Sequence, residues 1–410
     1  MRDDTIQQLT RPDPDLVGPT FLGLFSGCGG LDLGFSQAHF RCVGAYDIDP
    51  LALSVHRRNI GAPTHVCDLS ASLPDRGLRE VDVVVAGPPC QGFSLAGKRH
   101  VDDPRNSLLL AAATIAIRLH PKAIVIENVR GAIAGDHRKH WIGLLRLLNA
   151  NGYATSELLC DATQFGLAQI RRRIVVIAWN TGRHTDFLPP LQPPKVLSDV
   201  IRGVERLPNH DPRLLDASSP LYQIALRIAP GNKLSNVRGG PHAVHTWQIP
   251  QVFGRTSSSE RTVLEAILKL RRRLRSRETG DADPVPARAI SQSLKCPVSA
   301  VLESLLRKGH IRRVGRCYDL VHTFNGKFRR LAWDRPSFTV DTRFGDPRMF
   351  LHPSENRGLS VREAARIQGF PDTFVFDGPT RAQFKMIGNA VPPPIGSGLA
   401  VMVRNLLLDD

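Results

Sequence analysis

From about residue 19 to residue 182 the chain alternates short apolar runs with amphipathic segments, and this rhythm constrains the fold more than any other feature. The runs at 20–25, 41–46, 65–67, 81–86, 123–126 and 174–178 have strand length, while 51–59, 108–119 and 140–149 carry an apolar face at helical spacing. Strands alternating with helices make βαβ units, whose sheet is mainly parallel and covered on both faces. The expected fold class is therefore α/β, with a mainly parallel, doubly wound sheet. Near residue 186 the proline-rich LPPLQPPKVL ends the rhythm, and the region up to about 355 is rich in Arg, Pro and Gly. Helical periodicity returns at 361–368, followed by an apolar stretch at 395–408. Four parts result: a disordered tail at 1–18, a first domain at 19–185, a second, mixed domain at 186–355, and a return to the first at 356–410.

Charge follows the same division. The chain has 410 residues and a formal net charge of +16. Residues 186–355 hold 28 basic and 16 acidic side chains, a net of +12, whereas 1–185 carry +3 and 356–410 carry +1. A near-neutral body with a basic middle reads as a catalytic core joined to a polyanion-binding segment. No apolar run approaches the ~20 residues of a bilayer span. The opening MRDDTIQQLTRPDPD has no apolar h-region, so neither a membrane partner nor export is expected. Seven scattered cysteines without a CxxC argue against a disulfide scaffold or a zinc cluster. They fit a reducing cytoplasm, and no metal is expected.

Four motifs carry the chemistry. FSGCGGLDLGF (25–35) is a glycine-rich turn from a strand into a helix, where backbone can approach a ligand and free N–H groups are on offer. Its spacing is not the G-x-G-x-x-G of dinucleotide binders, which leaves no support for a nicotinamide-linked dehydrogenase. Asp47 follows at the end of the second strand, placed to accept bonds from ribose hydroxyls, and Asp68 follows the third. Taken singly, either aspartate could be a helix N-cap. Together with the turn, an adenosyl cofactor accounts for all three. AGPPCQGFS (86–94) puts Cys90 after a strand's carboxyl end, ahead of a polar, lid-like stretch containing Gly97. IENVRG (126–131) ends an apolar strand on Glu127, a costly place for a carboxylate unless it binds something or stays protonated. QIRRR (169–173) leads into another strand, and alternation sends Arg171 and Arg173 to one face and Arg172 to the other. A solvated basic edge would explain that triplet equally well.

FSGCGG, PPCQGFS, ENV and QxRxR in this order, with RGLSVREAARIQGFPDTF (357–374) and QFKMIGNAVPPPIG (383–396), closely resemble the bacterial DNA (cytosine-5-)-methyltransferase family of restriction–modification systems. The resemblance covers about 19–182 and 336–400. It implies a Rossmann-like, S-adenosylmethionine-dependent catalytic domain and a second, target-recognition domain. It implies methyl transfer to C5 of a flipped-out cytosine in duplex DNA, protecting host DNA. Cys90 would be the nucleophile at C6, since only a thiolate would serve. Glu127 would protonate or hydrogen-bond ring N3 and hold the exocyclic amine, while Arg171 and Arg173 would hold O2 and help to order the catalytic loop. Phe25, Gly27, Gly29, Leu31, Asp47, Ile48, Asp68, Leu69, Pro88, Asn389 and Val391 would line the cofactor pocket. Gln91, Ser94, Lys98 and Arg99 would meet DNA. Asp47 stands where the family more often has Glu, a shorter arm toward the ribose. The partner implied is double-stranded DNA, with a cognate endonuclease in the same system and no stable protein partner required. The place implied is the cytoplasm, at the nucleoid.

Residues 257–321 have a pattern of their own. SSSERTVLEAILKLRRRL places Val263, Ile267, Leu270 and Leu274 on one helical face, PARAISQSL reads as a second helix, and CPVSAVLESLLRKG as a third. IRRVGRCYDL then reads as a hairpin turning at Gly315–Arg316. Three helices and a basic wing resemble a winged helix-turn-helix. Between 255 and 321 there are 15 basic and 7 acidic residues. In this reading helix 298–308 faces a DNA groove, and Arg312, Arg313 and Arg316 contact phosphates. A stabilising insertion with a solvated basic face, or a partner-binding module, is also consistent with the sequence.

Overall fold

The computed structural model describes residues 18–70, 81–89, 107–182, 187, 192–237, 239–277 and 282–407. The tail expected at 1–17 lies outside them. The chain forms two compact units, one holding the residues up to His210 with Asp334–Arg343 and the chain from Val361 on, the other Asp211–Trp333 and Phe344–Ser360.

Among the described residues the first unit has a seven-stranded sheet of β1 (Thr20–Leu24), β2 (Arg41–Asp47), β3 (Thr64–Val66), β4 (Val83–Ala86), β5 (Ala123–Val129), β6 (Ala154–Asp161) and β7 (Arg172–Trp179). The order is β3-β2-β1-β4-β5-β7-β6; five strands pair in parallel, β7 runs against them, and β6 at the edge pairs antiparallel with β7 and so runs with the five. Helices α1 (Gly30–Gln37), α2 (Pro50–Ile60), α3 (Ser107–Arg118) and α4 (Arg138–Ala150) follow in chain order. Alternate strand residues feed two cores. Phe21, Val83, Val85, Val125 and Val175 join one, and Leu22, Val84, Ile124, Ile126 and Val176 the other. Burial on both faces is why these strands read as unbroken apolar runs. β6 has no counterpart among the expected strands: ATSELLCD is an edge strand with Leu159 51 % exposed, so no apolar run marks it.

The second unit opens with α5 (Pro220–Arg227), β8 (Lys233–Ser235), β9 (Ala243–Val244) and α6 (Pro250–Phe253). Next come α7 (Ser258–Arg273), β10 (Val285–Pro286), α8 (Ala287–Leu294), α9 (Ser299–Arg307), β11 (Ile311–Val314) and β12 (Cys317–Leu320). The last three strands of the unit are β13 (Asn325–Lys327), β14 (Arg329–Arg330) and β15 (Phe350–Leu351). Helices α7, α8 and α9 enclose a core of Leu264, Ile267, Val285, Ile290, Leu302, Leu305, Ile311 and Leu320. Strands β10, β12 and β11 pair antiparallel in that order. β10 has only two residues, one a proline, and no periodicity reveals it. Leu274, expected on the apolar face of α7, caps that helix and is 45 % exposed. Elsewhere in the unit Arg330, buried, donates to the carbonyls of Ala225, Ile228, His352 and Glu355 and to Asn356 Oδ1.

The chain re-enters the first unit through α10 (Val361–Ile367), α11 (Thr380–Asn389) and α12 (Pro393–Leu407). Contrary to the expectation that no stretch is apolar enough, Thr380–Leu407 has the length and composition to cross a bilayer. Its 18-residue apolar window is 67 % buried inside the protein, and Ile395, Leu399, Val403 and Leu406 share a core with Phe21 and Phe35. A Cβ on Gly30 would collide with the Val391 carbonyl, and one on Gly34 with the Pro393 carbonyl, so these glycines let α1 lie directly on α12.

Glu260 fastens the start of α7. The Ser257 N–H donates to its carboxylate at 2.7 Å while its own N–H donates to Ser257 Oγ at 3.2 Å, and Ser304 Oγ and Lys308 Nζ add bonds at 2.8 Å each. Burial works against its charge, but Lys308, Ser257 and Ser304 outweigh it and hold the carboxyl down to about 2. A depressed carboxyl stabilises the fold above its free value of 4.5, and that contribution disappears as pH falls toward about 2. Glu260→Ala is expected to lower the opening free energy of 258–320 by about 1–3 kcal/mol, read by amide hydrogen exchange on the full chain at neutral pH. Unchanged protection would show that the box carries no stability.

Candidate active site

The strand order reverses between β1 and β4, and in such sheets the crevice at the carboxyl ends beside the reversal is the ligand site. After β1 the chain passes through Phe25 (φ 54°), Gly27 (φ 54°) and Gly29 (φ 93°), three left-handed residues in a row of five, before α1 begins. Asp47, ending β2, ties this turn down: its Oδ2 accepts the Gly27 N–H and its Oδ1 the Asp49 N–H, both at 2.8 Å. Burial pushes its carboxyl up, against those two N–H bonds. Ile48 beside it is 66 % exposed. Asp68 is exposed and accepts the Ser70 N–H at 2.9 Å, a local turn that lowers its carboxyl. Leu69 and Leu31 have their side chains in the two cores, so only their backbones face outward chemistry.

Behind the turn, a Cβ on Gly29 would lie 2.5 Å from Ile60 and 2.6 Å from His56. His56 Nε2 is in turn 2.9 Å from Asp32 Oδ2, both side chains buried. Asp32, Cys42 and His56 present donor atoms within 4.8 Å of one another, the one such group among the described residues. In front of the turn, the Val391 carbonyl lies against Gly30, and Asn389, exposed, ends α11. Pro88, buried, follows β4, and its carbonyl accepts Asn128 Nδ2 at 3.4 Å. Asn128 thus links the ENV motif to the PPC motif, a role that the motif's presence marks and spacing alone does not reveal.

The turn suits S-adenosylmethionine. A Cβ at Gly27 would meet nothing within 4 Å, α1 has no side-chain cap on its first N–H groups, and Ile48 is an open apolar platform beside the Asp47 carboxylate.

The antiparallel pairing of β7 with β5 sets Arg173 opposite Val129, and Arg173 Nε reaches Glu127 Oε1 at 2.7 Å. Glu127 is 7 % exposed. Burial pushes its carboxyl up, with the charges of Arg173 and Arg171 opposing. Arg172 points the other way, to Asp161 at 2.9 Å. Arg171 is buried and donates to the carbonyls of Val340 (3.0 Å), Gly388 (3.2 Å) and Ala390 (2.9 Å). Gln169 and Gln368, whose roles sequence reasoning missed, lie beside it.

Cys90, Gln91, Ser94, Lys98 and Arg99 lie outside the described residues. Of the described cysteines, Cys28 and Cys160 are pushed by burial up to about 12, and Cys42 and Cys67 are also raised by burial, so none of these four supplies a thiolate at neutral pH. In the second unit Arg312, Arg313 and Arg316 are exposed. Arg312 pairs with Asp319 at 3.0 Å, and Arg313 lies 5.9 Å from the centre of the Tyr318 ring.

A family model described as C-5 cytosine-specific DNA methylase matches residues 20–403. A type II methyltransferase from Thalassovita gelatinovora, M.AgeI, is 33 % identical over 93 % of this chain and 98 % of its own length. M.XorII from Xanthomonas oryzae pv. oryzae is 29 % identical over 96 % and 86 %. The fold is shared with a methyltransferase of Entamoeba histolytica, EhMeth, at a TM-score of 0.54 and 14 % identity, over 96 % of this chain and 99 % of that one.

A carboxyl raised on folding favours the folded state below its free value of 4.5 and withdraws that support as pH rises through its folded value. At neutral pH Glu127 therefore costs stability. Glu127→Gln is expected to melt at or above the wild type there, with the gap closing as pH falls toward 4.5. A lower melting temperature at neutral pH would mean that the Arg173 pair outweighs burial.

Proposed function

We propose that this chain, which belongs to the C-5 cytosine-specific DNA methylase family and is a DNA cytosine-C5 methyltransferase using S-adenosylmethionine, works through a covalent Cys90–C6 intermediate on a flipped-out base. The observation that carries this reading is the buried Glu127–Arg173 pair at the sheet's carboxyl edge, joined through Asn128 to the segment leading into Cys90. Cysteine thiolate adds to C6 as Glu127 gives a proton to N3, so that C5 gains enamine character. S-adenosylmethionine would supply the methyl group as an electrophilic sulfonium and leave as the thioether S-adenosylhomocysteine. Arg173 fixes the Glu127 carboxyl and faces O2 of the base. Loss of the C5 proton then re-forms the C5=C6 bond and expels Cys90 as its thiolate, and N3 returns its proton to Glu127. A carboxyl biased toward its protonated form suits the proton donor of the first step. Phe25, Gly27, Gly29, Asp47 and Ile48 would hold the cofactor, with Asn389 and Val391 on the far side of the turn.

The helices α7, α8 and α9 with the sheet β10-β12-β11 form, in this reading, a winged-helix-like module that holds duplex DNA. Helix α9 buries Leu302 and Leu305 and turns Ser299, Ala300, Glu303 and Arg307 outward. That face has little net charge, so phosphate contact falls mainly to the wing arginines. The enzyme acts in the cytoplasm, at the nucleoid, protecting host DNA beside a cognate endonuclease.

Bisulfite sequencing of DNA from a methylation-free host expressing the chain is expected to show 5-methylcytosine in one fixed context, and none with Cys90→Ser. Methylation that survives Cys90→Ser would overturn the covalent mechanism. The triple variant Arg312→Ala, Arg313→Ala, Arg316→Ala is expected to flatten the slope of log K against log salt by roughly 2–3 in filter binding to duplex DNA. An unchanged slope would remove the wing from the DNA contact.

A further inference from the structure

Gln169, Arg171 and Gln368 form a buried relay on the inner side of the site. Gln169 and Gln368 have no exposed surface, and Arg171 is 1 % exposed. The direction of every bond is forced. The Val340 N–H donates to Gln169 Oε1 at 3.2 Å, so the Gln169 amide must turn its NH₂ toward the Ile367 carbonyl (3.0 Å) and Gln368 Oε1 (2.6 Å). Gln368 then has only its NH₂ left, which donates to the carbonyls of Ile387 (3.1 Å) and Ala390 (2.7 Å). Arg171 donates to Ala390 as well, and to Gly388. Besides Val340, the carbonyls it serves, Gly388 and Ala390, stand where α11 ends, at the negative end of its dipole, where carbonyls run out of partners within the helix. A guanidinium and an amide thus cap α11 from outside, at the step where the chain turns toward Val391, whose carbonyl lies against Gly30 of the cofactor turn. Arg171 is two residues before Arg173 on the same strand lead.

We infer that Gln368, acting with Gln169 and Arg171, is a positioning residue for the cofactor: it fixes 388–391 over the glycine-rich turn and ties that closure to the strand that presents Arg173 to the base. Arg171 in this assignment serves the cofactor segment rather than O2 of the cytosine. The inference rests on the cofactor reading above, and wild-type binding of S-adenosylmethionine by isothermal titration tests that reading alone.

The test of the relay is Gln368→Met, which keeps size and removes both donors. On unmethylated plasmid DNA its KM for S-adenosylmethionine is expected to rise about tenfold or more, with kcat and the KM for DNA within about threefold of wild type. Should Gln368→Met fail to fold, Gln368→Glu keeps the bond from Gln169 and presents a carboxylate to the two carbonyls. Its KM for S-adenosylmethionine is expected to be raised at alkaline pH and to fall as the pH is lowered, because a protonated Glu donates again. With a wild type that binds S-adenosylmethionine, an unchanged KM for it in the variant, or a loss confined to kcat or to DNA binding, overturns the inference. A lower melting temperature with unchanged KM also overturns it, since the glutamine would then be structural only.

Discussion

The pairing of β7 against β5 brings the start of one strand to the end of the other. β5 delivers Glu127 and Asn128 to the carboxyl edge, as a parallel strand of this sheet must. A parallel β7 would carry its first residues to the opposite edge, away from the crevice. Because β7 runs the other way, the arginine-rich lead into it arrives beside Glu127, and the ion pair forms at 2.7 Å without any long loop. The same lead puts Arg171 within reach of α11. One reversal of strand direction thus assembles groups from both sides of the site.

The polar groups placed there are costly to bury, and the protein handles them in two ways. Arg171, Gln169 and Gln368 are held in fixed directions by bonds to backbone groups and, between the two glutamines, to each other. Glu127 is treated differently, since burial keeps its carboxyl above the ordinary range while two guanidinium charges pull it back. On the proposed mechanism, that balance suits a group that passes a proton to a bound base. Rigid surroundings and one poised carboxyl are what separate a site from a core.

Much of this can be read from sequence because strand ends in a parallel sheet fall at recognisable places. Apolar runs locate β1, β2, β4, β5 and β7, and the residues just after them include Asp47, Pro88 and Glu127. What escapes has physical reasons. β6 is an edge strand with one polar face, and β10 is a Val-Pro pair too short for any period. The partners of Arg171 lie about 170 and 220 positions further along the chain, and no local pattern distinguishes a buried arginine capping a distant helix from a solvated one. Leu31 and Leu69 stand beside the turn and strand end that were legible, yet both side chains join cores: for Leu31 the geometry of α1, not proximity to a motif, sets the direction.

The close seating of α1 on α12 has a consequence for when the protein can act. Gly30 and Gly34 are made hundreds of residues before the backbone that packs on them, which belongs to residues 391–397. A ribosome must therefore translate the whole second unit before the first helix of the core finds its neighbour. On the proposed function, the glycine-rich turn is not backed until residues 391–397 are made, so methylation begins only with a chain whose second unit is already complete.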